Sequence, residues 1–75
     1  MSSLGELRKI IARITHGSEQ GILMETALKD IKADSLHWVQ IIIAVETTFG
    51  IEVDIDKMKG FTKIEDFVRY IDDAV

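Results

Sequence analysis

The chain has 75 residues, a formal net charge of −4 and no cysteine. This length suits one small core, and a hydrophobic content of 47% argues against disorder, so we expect residues 1–75 to form a single domain. The acidic balance argues against nucleic acid as a partner, because affinity for phosphate backbones depends on clustered Lys and Arg. The lack of cysteine excludes disulfides and thiolate metal sites.

No part of the sequence is suited to crossing a membrane or to directing export. The longest apolar run, from Ile41 to Val45, is far too short to span a bilayer. The first residues, Met1 to Glu6, contain no basic segment leading into an apolar one, as a signal or transit peptide would. We therefore expect a cytoplasmic protein that does not insert into membranes.

Apolar residues that recur at intervals of three and four predict the first helix, from about Ser3 to Thr15. Its apolar face consists of Leu4, Leu7, Ile10, Ile11 and Ile14. Ser3 followed by Glu6 is typical of a capping box, in which each side chain bonds a free backbone amide. The pair His16-Gly17 provides an end for this helix.

The segment from Gly17 to Ala33 shows no sustained periodicity and is predicted to be a long connection. Its apolar residues favour packing of this loop over the core. They are Ile22, Leu23, Leu28 and Ile31. Because a structureless connection of this length is unusual in a compact domain, we expect a short helical turn within it.

The second helix is predicted to follow Asp34, a favourable N-cap, and to end at about Thr48 or Phe49, before Gly50. It carries two apolar stripes. The first should face the core and consists of Trp38, Ile41, Ile42, Val45 and Phe49. The second lies on another side and consists of Leu36, Val39 and Ile43. Two interpretations of this second stripe remain open, namely packing beneath the loop or an exposed surface for a partner.

Beyond the second helix, Ile51, Val53 and Ile55 alternate with acidic residues as in a strand, but no second strand is available to pair with them. We therefore predict a short helix or turn at about Ile55 to Lys59, ended by Gly60.

The last helix is predicted to begin at Thr62-Lys63-Ile64-Glu65, which has the spacing of a capping box. Its buried face should consist of Ile64, Phe67, Val68 and Ile71. Together these elements predict an all-α fold: a small four-helix bundle with three longer helices, one short helix and a long loop between the first two.

No arrangement of residues is typical of an enzyme active site or a metal centre. His37 lies two residues from Ser35, and side chains at that spacing on a helix point to different sides. His16 is a lone histidine at a helix end. Asp54 and Asp56 faintly resemble a calcium loop, but the residues that follow are not the oxygen ligands and glycine that such a loop requires. We predict neither catalysis nor a metal site.

Ser35 stands at the start of the second helix, directly after a polar loop. Serine and aspartate are common at helix starts because they cap, so Asp34-Ser35 alone is not diagnostic. Asp34-Ser35-Leu36, taken with the chain length, the long loop and the helix order, resembles the acyl carrier protein family. The flanking segments Asp30-Ile31-Lys32-Ala33 and Ala44 to Phe49 also resemble that family, and the resemblance covers nearly the whole chain.

The resemblance implies that Ser35 carries 4'-phosphopantetheine, with Asp34 and Leu36 beside the attachment. A separate phosphopantetheinyl transferase would attach it from coenzyme A. Acyl groups would then be held on the arm as thioesters for acyl-transferring and synthase enzymes of fatty-acid, polyketide or related lipid biosynthesis. The chain would be a carrier and not an enzyme, and such carriers are usually monomers. A helix start suits the phosphodiester, because free amides and the helix dipole favour an anion.

In this family, acidic residues along the second helix meet basic patches on partner enzymes, and the resemblance assigns partner binding to Leu36, Val39, Gln40, Ile43 and Glu46. Gln40 stands where a glutamate is usual, and Lys32 replaces a common glycine. This less acidic helix favours a specialised carrier. The alternative, from another class of function, is an unmodified interaction domain that keeps the carrier fold and docks through the apolar face of this helix.

Overall fold

The computed structural model describes residues 3–75, which contain four α-helices and no strand. The helices are α1 (Leu4–Thr15), α2 (Ser35–Phe49), α3 (Ile55–Met58) and α4 (Ile64–Ala74). The predicted all-α architecture, with three longer helices, one short helix and a long first loop, is therefore confirmed. Met1 and Ser2, which begin the predicted domain, lie outside the described residues.

The core is formed by one face of each long helix together with two loop residues. Its buried members are Leu7, Ile10, Ile11, Ile22, Ile41, Val45, Val53, Ile64, Phe67, Val68 and Ile71. The predicted apolar faces of α1 and α4 therefore point inward. On α2 only Ile41 and Val45 are fully buried, while Trp38, Ile42 and Phe49 pack against the edge of the core. Burial of this apolar surface is the main term that favours folding.

The start of α1 differs from the prediction. Ser3 is buried, and its backbone has right-handed helical dihedral angles. Its side chain makes no capping hydrogen bond. Its hydroxyl instead donates to the Val68 carbonyl at 3.4 Å, and its amide donates to Asp72 Oδ1 at 3.0 Å. Glu6 pairs with Lys9. The predicted Ser3–Glu6 capping box is therefore wrong, because contact with α4 occupies the polar groups of Ser3.

The first loop contains two 3₁₀ turns, Glu19–Gly21 and Leu28–Asp30, where the sequence predicted one short helical turn. Ile22 is buried as predicted, and Leu28 and Ile31 pack against the core. Leu23 is exposed, so the prediction of inward packing is wrong for this residue. The rest of the loop does fold back over the core.

Backbone hydrogen bonds tie this loop to the start of α4. The Leu28 amide donates to the Thr62 carbonyl, and the Ile64 amide donates to the Thr26 carbonyl, both at 2.9 Å. These bonds satisfy backbone groups that a free loop would leave to water. They hold the long connection in one position relative to the bundle.

The segment before α3 is not a strand. Ile51 and Val53 pack inward, whereas Ile55 is exposed. Asp54 caps the short helix, since its Oδ1 accepts the amides of Asp56 at 2.9 Å and Lys57 at 3.4 Å. Of the acidic pair that faintly resembled a calcium loop, Asp54 is therefore a helix cap, and Asp56 pairs with Lys59 at 3.7 Å.

The carboxylate that caps α4 is Asp66, not Glu65. Asp66 Oδ2 accepts the backbone amides of Thr62 at 2.9 Å and Lys63 at 3.1 Å, and the Thr62 hydroxyl at 3.2 Å. Glu65 instead pairs with Arg69, one turn further along the helix, at 3.3 Å. The predicted box is therefore wrong in both members, because the N-cap of α4 is Lys63 rather than Thr62 and the carboxylate is that of Asp66. The hydrogen bond from the Thr62 amide, followed by that from Lys63, lowers the pKa of Asp66 below its ordinary value of 3.8.

The residue that ends α1 in the left-handed region is His16, with φ 58°, and not the glycine that follows it. The amides of His16 and Gly17 both donate to the Ala12 carbonyl, which closes the last turn. A side chain with a Cβ is strained in this conformation. At the end of α2, by contrast, it is a glycine that takes the left-handed conformation: the helix ends before Gly50 as predicted, and Gly50 has φ 66°.

Replacement of Asp66 by Asn should make the free energy of unfolding depend less on pH in the acid range. A group whose pKa is lower in the folded state than in the unfolded state stabilises the fold at pH values above its unfolded-state pKa. This contribution is lost as the pH falls through the folded-state pKa. In urea titrations from about pH 5 to about pH 3, the free energy of unfolding should fall more steeply for the wild type than for Asp66→Asn. The control Glu65→Gln should keep the steep slope, and equal slopes in all three proteins would contradict the assignment.

Replacement of His16 by Gly should raise the free energy of unfolding by about 1 kcal/mol, because glycine adopts the left-handed conformation without a Cβ clash. Urea unfolding at neutral pH would measure this gain. The matched control is Arg13→Gly within α1, which should lower the same quantity by about 1 kcal/mol. A loss of stability in both variants would count against strain at His16.

Candidate functional site

The first turn of α2 is closed by a reciprocal pair of hydrogen bonds. Asp34 is the N-cap, and its Oδ1 accepts the His37 amide at 2.9 Å. The His37 ring returns the contact, since Nδ1 accepts the Asp34 amide at 3.4 Å. The sequence predicted the capping role of Asp34 but missed that of His37. The signal was the spacing of a capping box, with histidine in place of the usual glutamate or glutamine.

Ser35 is the first residue of α2 and is exposed. Within residues 3–75 its hydroxyl has no hydrogen-bond partner, and neither do the backbone amides of Ser35 and Leu36. Free amides at the start of a helix of this length attract an anion, and the helix dipole adds to that attraction. The site therefore combines a free hydroxyl with an environment that suits a phosphodiester on the same oxygen.

The second apolar stripe of α2 faces solvent. Leu36 is 64% exposed, Val39 51% and Ile43 56%. Gln40, which lies between them in the sequence, is exposed as well. Of the two interpretations that the sequence left open, packing beneath the loop is therefore wrong. We call Leu36, Val39 and Ile43 the outer stripe of α2. It begins one residue after Ser35 and extends for about 10 Å along the helix.

Glu46 has an internal role that the sequence did not reveal. Its side chain is partly buried, and Oε2 accepts the Val53 amide at 2.9 Å. Val53 itself is a core residue, so this bond fastens the segment after α2 to the bundle. Helical spacing in the sequence relates Glu46 only to its neighbours on α2. Only the fold shows that its carboxylate accepts the Val53 amide, seven residues further along the chain.

The described residues show none of the groupings that a metal site or a serine–histidine pair would need. In residues 3–75, no three side chains of the metal-binding types come together. His37 turns its Nδ1 toward Asp34, and not toward Ser35. His16 lies at the end of α1 with an exposed side chain. None of the helices in the described part of the chain is both long and apolar enough to cross a membrane.

Removal of the Glu46 carboxylate should destabilise the fold. Glu46→Ala leaves the Val53 amide without its partner in a partly buried position, and we expect the free energy of unfolding to fall by about 1–2 kcal/mol. Glu46→Gln keeps an oxygen acceptor and should retain most of the stability, as measured by urea unfolding. The neighbouring control Thr47→Ala should change it by less than about 0.5 kcal/mol. Equal stability of the two Glu46 variants would mean that the bond to Val53 contributes nothing.

Comparison with known proteins is consistent with this geometry. A family model described as a phosphopantetheine attachment site matches residues 5–71. The chain is 34% identical over 73 residues to acyl carrier protein 3 of Ralstonia nicotianae, which covers 96% of this chain and 84% of the relative. It is 32% identical over 73 residues to the acyl carrier protein of Campylobacter jejuni subsp. doylei, with 96% and 95% covered.

The fold is similar to the solution NMR structure of a holo acyl carrier protein from Geobacter metallireducens. The TM-score is 0.82 at 20% identity, and the superposition covers 96% of this chain and 84% of the other, so this likeness concerns the fold. Members of the family are carriers rather than enzymes and bear covalently attached 4'-phosphopantetheine. The match over residues 5–71 and the two relatives show that this chain belongs to the acyl carrier protein family.

Proposed function

We propose that Ser35 carries the 4'-phosphopantetheine arm and that the chain conveys acyl groups between enzymes of fatty-acid, polyketide or related specialised lipid biosynthesis. The observation that carries this proposal is the exposed Ser35 hydroxyl at the first residue of α2, with no partner within the described residues. The arm supplies the thiol on which acyl groups are held as thioesters. The chain itself has no cysteine, so it depends on the arm for that chemistry.

Attachment requires a separate phosphopantetheinyl transferase and coenzyme A. The Ser35 oxygen forms a bond to the phosphorus that bears pantetheine, the bond to the adenosine phosphate breaks, and the hydroxyl proton passes to a base of the transferase. Asp34 acts as a positioning residue, because its bond to the His37 amide fixes the start of α2 and with it the place of Ser35. The free amides of Ser35 and Leu36 would favour the negative charge of the resulting phosphodiester.

The partners of the arm are the transferase and the acyl-transferring or synthase enzymes, and we propose that they bind along α2 next to Ser35. The exposed residues there are Leu36, Val39, Gln40 and Ile43. Glu46 completes the predicted set, but one of its carboxylate oxygens is bonded to Val53. The scarcity of acidic residues on α2 supports a specialised pathway. The chain would visit its partners as a cytoplasmic monomer.

Incubation with coenzyme A and a broad-specificity phosphopantetheinyl transferase tests this function. Intact mass should rise by one phosphopantetheine group in the wild type, and fragmentation should place the addition on Ser35. The variant Ser35→Ala should gain no mass, because it lacks the only nucleophile proposed at the site. The matched control Ser18→Ala, which removes another exposed serine hydroxyl, should be modified like the wild type.

Two results would contradict the proposal. One is a folded wild-type chain that stays unmodified after exhaustive incubation, which would favour the alternative of an unmodified interaction domain that docks through the outer stripe of α2. The other is modification that persists in Ser35→Ala, which would move the attachment to a different residue. Circular dichroism of each sample would establish that the helices are intact.

A further inference from the structure

Two open depressions lie side by side on the surface between the first loop and the helices α2 and α3. Leu28 and Lys29 line both of them. Trp38 and Met58 complete the first, which has a volume of about 250 Å³, and residues 61–63 bound the second, which has a volume of about 360 Å³. We call the two together the loop groove. Its size is that of a small-molecule site, which typically measures about 300–1,000 Å³.

The floor of the loop groove is apolar and fixed in place. Its large side chains are partly buried and pack against the core, and they are those of Leu28, Trp38, Met58 and Phe61. The Leu28 amide donates to the Thr62 carbonyl at 2.9 Å, which joins the loop to the opposite wall. An apolar group that settles here removes surface from water without first ordering the loop.

The loop groove begins one helical turn from Ser35. Trp38 follows Ser35 by three residues, so the two side chains are neighbours on one face of α2, with about 5–6 Å between their Cβ atoms. Ser35 is exposed and Trp38 is half-buried. An arm on Ser35 that folds back along the surface therefore meets Trp38 first and then the rest of the groove.

The loop groove also carries positive charge. Lys29 and Lys63 are exposed, and within the described part of the chain neither is in an ion pair. Glu25 is the one acid among the described residues that line the groove, and Asp30 lines a different depression. Asp66, which caps α4, attracts Lys63. Lys29 is therefore the cation that a bound anion would meet with the least competition.

We propose that the loop groove holds the acyl group carried on the Ser35 arm, and that Lys29, assisted by Lys63, pairs with a carboxylate at the far end of that group. This inference rests on the proposed function. The cargo is then a dicarboxylic acid, joined to the arm through one of its carboxyl groups. The apolar floor favours the methylenes of such a chain, and an ammonium group forms a charge-assisted hydrogen bond with the free carboxylate.

Loading from acyl-coenzyme A tests the groove. The transferase moves the acylated arm whole onto Ser35, and intact mass measures the loading of each sample. Octanoyl and suberyl groups have the same chain length, but only the suberyl group ends in a carboxylate.

Proton–nitrogen correlation spectra report where the acyl group lies. The Trp38 indole signal identifies itself, because the chain has one tryptophan. This signal and those of the Leu28 and Phe61 amides should move away from their positions in the holo chain with either acyl group. The shifts should be about twice as large with suberyl as with octanoyl, because an exposed ion pair raises the docked fraction of the arm by a small factor.

Variants at the rim separate the effect of charge from that of apolar packing. Lys29→Gln should reduce the suberyl shifts to the size of the octanoyl shifts, and Lys63→Gln should reduce them less. Lys29→Arg keeps the charge and should retain the larger suberyl shifts. The matched control Lys32→Gln removes the same charge from an exposed lysine that lines neither depression, and it should leave the suberyl shifts unchanged. Circular dichroism checks that each variant is folded.

The outcomes separate the two proposals. Equal shifts with octanoyl and suberyl in the loaded wild type, or a suberyl excess that persists in Lys29→Gln, would overturn the groove inference and leave the carrier function standing. The same holds if the largest shifts are at the amides of Val45 and Phe67, which are fully buried, because the acyl group would then lie in the core. A wild-type chain that never gains mass would overturn the carrier function, and the groove inference with it.

Discussion

The hydrogen bond from the His37 amide to the Asp34 carboxylate is the interaction on which the candidate site depends. It sets the residue at which α2 begins, and that choice leaves Ser35 on the first turn with an exposed hydroxyl and free amides beside it. Successive residues of a helix are turned by about 100°. When Ile41 and Val45 point into the core, the residues of the outer stripe therefore point away from it. One helix thus presents both the attachment site and the surface beside it.

Internal hydrogen bonds give several acidic side chains of this small domain a structural role. Glu46 is acidic in the sequence, yet one carboxylate oxygen holds the segment that follows α2, and Asp54 is used to start α3. In a small domain, many of the polar side chains are needed at helix ends and turns, because buried or capped backbone groups must be satisfied. Glu46 and Asp54 therefore have structural roles that a count of charges along the chain does not reveal.

The errors of sequence-based reasoning here share one cause. Ser3 has the spacing of an N-cap, but its hydroxyl and amide are taken up by α4. Glu65 and Asp66 are neighbours, and either could cap α4. Asp66 does so, because its carboxylate reaches the amides of both Thr62 and Lys63. In each case the local sequence pattern allows more than one hydrogen-bond partner at the helix end, and tertiary contacts decide which one is used.

The sequence by itself determined the helix order, the short α3, the core faces of α1 and α4, and Asp34-Ser35 at a helix start, because periodicity and capping are local properties. Only the tertiary structure decided that the outer stripe of α2 faces solvent and that the Glu46 carboxylate binds the Val53 amide. The physical reason is that α2 is apolar around most of its circumference. Spacing shows which residues share a side, but the packing of other elements decides which side is covered.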